Sequence, residues 1–200
     1  MLMEDHAIGP LHMVADGGRL LALEFGDLKH RLMPMLRARF GKEPVFEPAD
    51  HLGKIASAIR AYFEGDLAAL DAIEVDGGGT DFQRQAWRAL RAIPPGETRT
   101  YGQMAAILGR PNAARAIGMA NGLNPISLVV PCHRLVGSNG ALTGYGGGME
   151  RKRWLLEHEK SWSGMTEDQA CLRDMAAGWA KITPTRSSPA ACWSRRTPRG

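Results

Sequence analysis

Thr100-Tyr-Gly-Gln-Met-Ala-Ala-Ile-Leu-Gly-Arg-Pro-Asn-Ala-Ala-Arg-Ala-Ile-Gly-Met-Ala-Asn-Gly122 reads as two short helices around a tight turn. Thr100 and Gln103 have the spacing of a capping box, in which each side chain satisfies a backbone amide of the other. Met104, Ile107 and Leu108 then share one face, and Gly109-Arg110-Pro111 ends the helix, because proline cannot continue the backbone ladder. Asn112 is placed to cap a second helix over residues 113–121, with Gly122 at its C-terminal end. Helix, tight turn, helix predicts a helix-turn-helix. In the second helix Ala113, Ala114, Ala116, Gly118 and Ala120 have little bulk, and Arg115 is the one long charged side chain. Such a helix suits either close packing inside the protein or a narrow nucleic-acid groove with the arginine reaching inward.

Upstream, residues 11–15 and 20–25 are strand-like runs around Asp16-Gly17-Gly18, which predicts a hairpin. Helical spacing follows over residues 28–40 and 51–63, and Gly65 with Asp66 closes the second helix. Gly77-Gly78-Gly79 forms a seam, after which Phe82, Ala86, Trp87 and Leu90 open a new helical pattern that Pro94-Pro95 stops. Downstream, Ser127-Leu-Val-Val130 predicts a buried strand leading into Pro131-Cys132-His133-Arg134. Gly137-Ser-Asn-Gly140 predicts a turn, and residues 142–149 a glycine-loosened loop. A last helix over residues 149–158 is expected to bury Trp154 and Leu155 with Arg151, Lys152 and Arg153 outward. These patterns predict an α+β protein with domains at 1–79 and 80–162. A tail at 163–200, with a short helix at most over 167–180, is expected to be disordered.

Charge changes sign at the glycine seam. Residues 1–79 hold 8 Lys/Arg against 13 Asp/Glu, whereas residues 80–162 hold 11 against 5. A basic segment is a footprint for a polyanion, because cations that neutralise phosphates release condensed counterions; it also suits a solvated surface. No apolar run reaches the roughly 20 residues a membrane span needs. The expectation is therefore a cytoplasmic, monomeric protein without membrane contact. Three cysteines, Cys132, Cys171 and Cys192, make neither a disulfide framework nor a zinc spacing.

Cys132 is the candidate nucleophile. A free thiol is only about 3% ionised at neutral pH, so a base is required. His133 is adjacent, but neighbours on a strand point to opposite faces, so the pair can act together only through a local turn or a water relay. Glu157 and Glu159 are the candidates to orient the imidazole.

The stretch Asn124-Pro-Ile-Ser-Leu-Val-Val-Pro-Cys-His-Arg-Leu-Val136 closely resembles the active-site signature of the O6-alkylguanine-DNA alkyltransferases. Phe82-Gln-Arg-Gln-Ala-Trp87, Ile93-Pro-Pro-Gly-Glu-Thr-Arg-Thr-Tyr101, Ala113-Ala-Arg-Ala-Ile-Gly118 and Trp154-Leu-Leu-Glu-His-Glu159 resemble further family blocks in the family's order. The likeness runs over residues 9–160, strongly from 80 onward. It implies a small ribonuclease-H-like N-terminal α/β domain and a C-terminal winged helix-turn-helix. It also implies single-turnover repair of duplex DNA by base flipping. Cys132 accepts the alkyl group from O6-alkylguanine, with O4-alkylthymine a further substrate, and His133 is the base acting through water. Glu159 orients His133, Asn124 braces the cysteine turn, and Tyr101 gives a proton or hydrogen bond to the departing base. Arg115 fills the gap left by the flipped nucleotide, and Ala114, Gly118, Arg134, Tyr145, Gly146 and Gly147 lie against the DNA.

Some members carry a hydroxyl residue after the loop tyrosine, where this chain has Gly146, so only backbone amides of Tyr145 and Gly146 serve there. Zinc-binding members use N-terminal cysteines, and this chain has none before Cys132; no metal or cofactor is expected. Three other readings compete. A non-reacting lesion-binding relative would replace the acceptor cysteine, typically with tryptophan. A winged-helix transcription regulator would read sequence rather than damage. A cysteine hydrolase leaves the helix-turn-helix without a role.

Overall fold

Gly17 and Gly18 both have positive φ, 54° and 81°, the backbone of a two-residue hairpin turn whose twist matches its strands. They join β2 (Leu11–Asp16) to β3 (Arg19–Phe25), paired antiparallel from Leu11 opposite Phe25 to Asp16 opposite Arg19, with a register slip at Val14/Ala15. A further strand, β1 (Leu2–Glu4), adds to the free side of β2; the sequence pattern did not announce it. The other edge of β3 is also covered, since Leu20 pairs with Val75 and Leu23 with Ile126. The Leu23 amide donates to Pro125 and the Ser127 amide donates to Leu23, each at 2.9 Å. The segment leading to the cysteine is thereby stitched to the N-terminal sheet.

This computed structural model describes residues 2–4, 6–41 and 52–164. The tail expected to be disordered, and the short helix considered within it, lie outside the described residues from 165 on. Two helices complete the first half: α1 (Lys29–Phe40) and α2 (Gly53–Phe63). The second half contains α3 (Asp81–Arg91), β4 (Arg99–Thr100), α4 (Tyr101–Ile107), α5 (Ala114–Gly122), β5 (Leu135–Val136) and α6 (Met149–Trp162). β4 and β5 pair in parallel. One core runs from Leu11, Phe25, Ile59 and Tyr62 through Trp87, Leu90, Met104 and Ile117 to Leu135 and Leu155, so it spans the glycine seam, and residues 1–163 form one compact unit. A smaller cluster of Val14, Ala22, Leu32 and Leu36 seats α1 on the hairpin.

Two capping boxes set the helix starts in the second half, Thr80 with Gln83 and Thr100 with Gln103. Each closes two orphan amides at a helix N-terminus, a contribution of about 1 kcal/mol. α3 buries Ala86, Trp87 and Leu90, and the Trp87 indole donates to the Ala120 carbonyl at 2.9 Å, fixing α5 against α3.

Local details differ from the sequence reading. Asn112 does not cap α5; its N-cap is Ala113 and no side chain bonds there, while Gly122 is the last helical residue before Leu123. Residues 127–130 are a buried turn instead of a strand, with Leu128 held at φ 73°, the one positive-φ non-glycine among the described residues. An apolar run has no period, so buried strand and buried turn look alike in sequence. The last helix continues to Trp162. Lys152 points inward and is buried, where its ammonium donates to the carbonyls of Leu135 and Thr143. Trp154 is half-buried and stacks on His158.

Candidate active site and nucleic-acid interface

Cys132, His133 and Arg134 form a single 3-10 turn, so the backbone bends where an extended strand would have split Cys132 from His133. Asn124 holds this turn from below: its amide donates to Val130 O at 2.9 Å and to Cys132 Sγ at 3.2 Å, while its carbonyl accepts from the Ile126 amide at 3.0 Å. Asn121, on the inner face of α5, donates to the Cys132 carbonyl at 3.4 Å. Cys132 is 4% exposed. Burial pushes its thiol up to about 11, partly offset by the Asn124 bond and reinforced by the negative charge of Glu24. At neutral pH only about one molecule in ten thousand would be ionised unaided, so the sulfur needs a base to react.

His133 Nε2 lies 2.8 Å from Glu159 Oε1 and both side chains are fully buried. Glu159 also accepts from Arg134 at 2.8 and 3.0 Å, from the Tyr62 hydroxyl at 3.0 Å and from the Gly96 amide at 3.1 Å. Burial alone would raise this carboxyl, but His133 and Arg134 beside it hold it well below the usual carboxylate range. A carboxylate that stays ionised accepts from His133, which places the imidazole proton on Nε2. Nδ1 is then the basic nitrogen, and it has no partner among the described residues. Burial lowers the imidazole's proton affinity against the pull of Glu159, so it stays neutral and able to take a proton.

Glu157, the other carboxylate considered, is exposed. Arg134, expected against DNA, lies inward: it is 5% exposed and spends its guanidinium on Glu159 and the Ile93 carbonyl. Tyr101 opens α4, beside Gly118 of α5, and accepts a hydrogen bond from Thr143 at 3.4 Å. Tyr145 sets its ring edge-on to His133 at 6.4 Å, and burial drives its phenol well above the ordinary value. Gly147 is buried with no room for a Cβ against Phe25, and a Cβ at Gly146 would strike the Arg31 guanidinium. Arg115 is exposed and Ala114 half-buried; the guanidinium has no protein partner among the described residues.

Other site residues carried no signal in the sequence. Tyr62 reaches Glu159 from α2. Buried Glu24 accepts from Ser127 at 3.3 Å and lies 3.6 Å from Arg31, which donates to Gly122 at 3.1 Å. This pair ties β3 and α1 to the turn at residues 127–130 and to the end of α5, and the Arg31 guanidinium sits against Gly146 of the glycine loop. Burial raises the Glu24 carboxyl above its usual value, with Phe25, Arg31 and Ser127 opposing. A glutamate in a strand and an arginine in a helix look like surface residues until the fold closes over them.

Beyond the site, the segment between Glu97 and Glu150 contains no Asp or Glu, while Arg99, Arg110 and Arg115 are there. A polyanion approaching α4 and α5 meets no opposing carboxylate from it. No helix among the described residues is long and apolar enough to cross a membrane, and they contain no cluster of three or more metal-ligating side chains.

A family model, that of the 6-O-methylguanine DNA methyltransferase DNA-binding domain, matches residues 81–161. A methylated-DNA-protein-cysteine methyltransferase of Salmonella typhimurium is 51% identical over 156 residues, 76% of this chain and 90% of that protein. The chain belongs to the methylated-DNA-protein-cysteine methyltransferase family. A member from Mycobacterium tuberculosis is 47% identical over 160 residues, covering 78% of this chain and 90% of its own length. Among solved structures, Mycobacterium tuberculosis OGT in complex with DNA superposes with a TM-score of 0.67 at 40% identity, over 85% of this chain and 97% of that one. The O6-methylguanine-DNA methyltransferase of the archaeon Pyrococcus kodakaraensis gives a TM-score of 0.57 at 26% identity, over 74% of this chain and 97% of that one. The mixed helix and sheet architecture is thus the methyltransferase family's.

Proposed function

We infer that this methyltransferase repairs DNA by direct reversal, moving the alkyl group of O6-alkylguanine onto Cys132. The observation that carries this reading is that one 3-10 turn sets a sulfur held by Asn124 next in sequence to an imidazole anchored on Glu159 and open at Nδ1. His133 Nδ1 takes the thiol proton through an intervening water while Glu159 stabilises the imidazolium. Sγ attacks the saturated carbon, the carbon–oxygen bond breaks, and a proton from Tyr101 lets the guanine leave neutral. The product is a thioether that no hydrolytic step reopens, so each molecule acts once.

Duplex DNA is the substrate, and the target atom is inaccessible within the stack, so the nucleotide must be extruded at a cost of a few kcal/mol. We assign α4 and α5 to a winged helix-turn-helix domain over residues 80–162, the first 79 residues to a ribonuclease-H-like domain, and α5 to the minor groove. Exposed Arg115 and the small faces of Ala114 and Gly118 support this placement, with Arg115 filling the gap. Because Cys132 is nearly enclosed, entry of a base requires a neighbour to move. Residues 144–148, glycine at four of five positions, are the segment best able to do so. O4-alkylthymine presents the same kind of carbon and is a second substrate. The protein works as a cytoplasmic monomer without cofactor, where reducing conditions keep the thiol free.

Retention of the acceptor cysteine disfavours a non-reacting lesion binder, and the buried Cys-His-Glu arrangement disfavours a transcription regulator. Cys132→Ala tests the assignment. It is expected to keep binding a duplex that bears O6-methylguanine while transferring no methyl group, whereas the wild type stops at one per protein. Continued turnover by the wild type, or transfer by the variant, contradicts the reading.

A further inference from the structure

The large apolar side chains exposed among the described residues are Phe40, Ile107, Met119 and Leu123. Three of these four lie on α4, on α5 or at the end of α5. Met119 is the most exposed, at 70%, and follows Arg115 by four residues on a helix whose buried positions are Ile117, Ala120 and Asn121. At about 100° per residue, Arg115 and Met119 point the same way, opposite the buried face. Ala114, Ala116 and Gly118 around them are small, so the two side chains stand out from a flat helix surface. An exposed methionine beside an arginine, in a stretch without carboxylates, fits a surface that is polyanionic at its rim and apolar within.

We propose that Met119 is a second minor-groove wedge, resting on the reading of α5 as the groove-binding helix. Four residues span about 6 Å along a helix axis, close to two base-pair rises of about 3.4 Å. When Arg115 occupies the gap left by the extruded nucleotide, the thioether of Met119 meets the base step about two pairs away. There an unbranched, polarisable side chain can press between partly unstacked bases. The kink this produces holds the duplex open at the lesion and slows the nucleotide's return. Leu123, one further turn along and 51% exposed, lies near the rim of the same contact.

The test uses the full chain and a duplex carrying O6-methylguanine, with 2-aminopurine two pairs away as a reporter of unstacking. Wild-type protein is expected to raise the 2-aminopurine fluorescence. Met119→Ala should abolish that rise and lower the ratio of duplex reaction to reaction with free O6-benzylguanine about tenfold, the cost of losing one buried apolar side chain. Met119→Leu should restore both. Arg115→Ala is run in parallel. Loss with Arg115→Ala but none with Met119→Ala overturns the wedge and leaves the repair reading standing. If neither variant changes the ratio, α5 is not the groove helix and both fall. An equal loss on duplex and free base with Met119→Ala assigns it a structural role and also overturns the proposal.

Discussion

Glu159 takes hydrogen bonds from His133, Arg134, Tyr62 and Gly96 at once, so one carboxylate sets both the imidazole's orientation and its proton position. Replacing it by glutamine removes the charge that steadies the imidazolium. Glu159→Gln is expected to slow transfer by about 100-fold, the lower end of what general-base catalysis by His133 contributes and what is lost when that base is no longer supported, in single-turnover kinetics with duplex substrate. The pH response follows from the directions of the shifts. Glu159 has a depressed folded-state value, so its stabilisation is complete above the unfolded value near 4.3 and is lost as pH falls through the folded one. His133 is also depressed; it is neutral in the fold, and the unfolded chain gains a proton below about 6.5. Both effects weaken the protein towards acid, so the urea midpoint should fall steadily from pH 7.5 through 5.5 to 4. A midpoint that rises over this range would contradict the buried pair. Cys132, His133, Asn124 and Glu159 were legible because their residue types match a known order of blocks. Arg134 was not, since a string of residues does not say whether an arginine in a tight turn faces water or a buried carboxylate.

At the scale of elements, α4 and α5 were legible from spacing because the Thr100–Gln103 box and Gly109-Arg110-Pro111 punctuate them. Thr100→Ala removes the acceptor that meets the Gln103 amide. It should cost about 1 kcal/mol of stability in urea unfolding, and an unchanged midpoint would mean the box does not set the start of α4. The caps of α5 were misread: the Ala113 amide bonds the Arg110 carbonyl in the turn before the helix, and the helix is anchored across the fold by the Trp87 indole on the Ala120 carbonyl. Helix ends depend on tertiary partners that local sequence does not contain. The same limit applies to residues 127–130, whose turn is defined by Asn124 and by the Leu23 backbone. For function at this scale, Arg115→Ala should lower capture of lesion duplex relative to reaction with free modified guanine. Equal loss on both substrates would show that Arg115 is not the gap-filling residue.

Across the whole molecule, the catalytic half is completed by the other half. Tyr62 of α2 donates to Glu159 and is fully buried, while Glu24 and Arg31 brace the turn at residues 127–130 and the end of α5. The glycine seam and the charge asymmetry predict a domain boundary after residue 79; one core, these polar ties and the backbone pairing of Leu23 with Ile126 cross that seam. Tyr62→Phe should therefore cost about 1–3 kcal/mol, the range for a buried acceptor losing a donor, and slow transfer without weakening duplex binding; weakened binding with unchanged transfer would contradict the link. The most direct measurement is the mass of the protein after reaction with duplex DNA carrying one O6-methylguanine, followed by peptide mapping. The expected result is one added methyl group per chain, on Cys132 and on neither Cys171 nor Cys192. Methyl-free protein beside repaired DNA, or the added mass on another residue, would contradict the account.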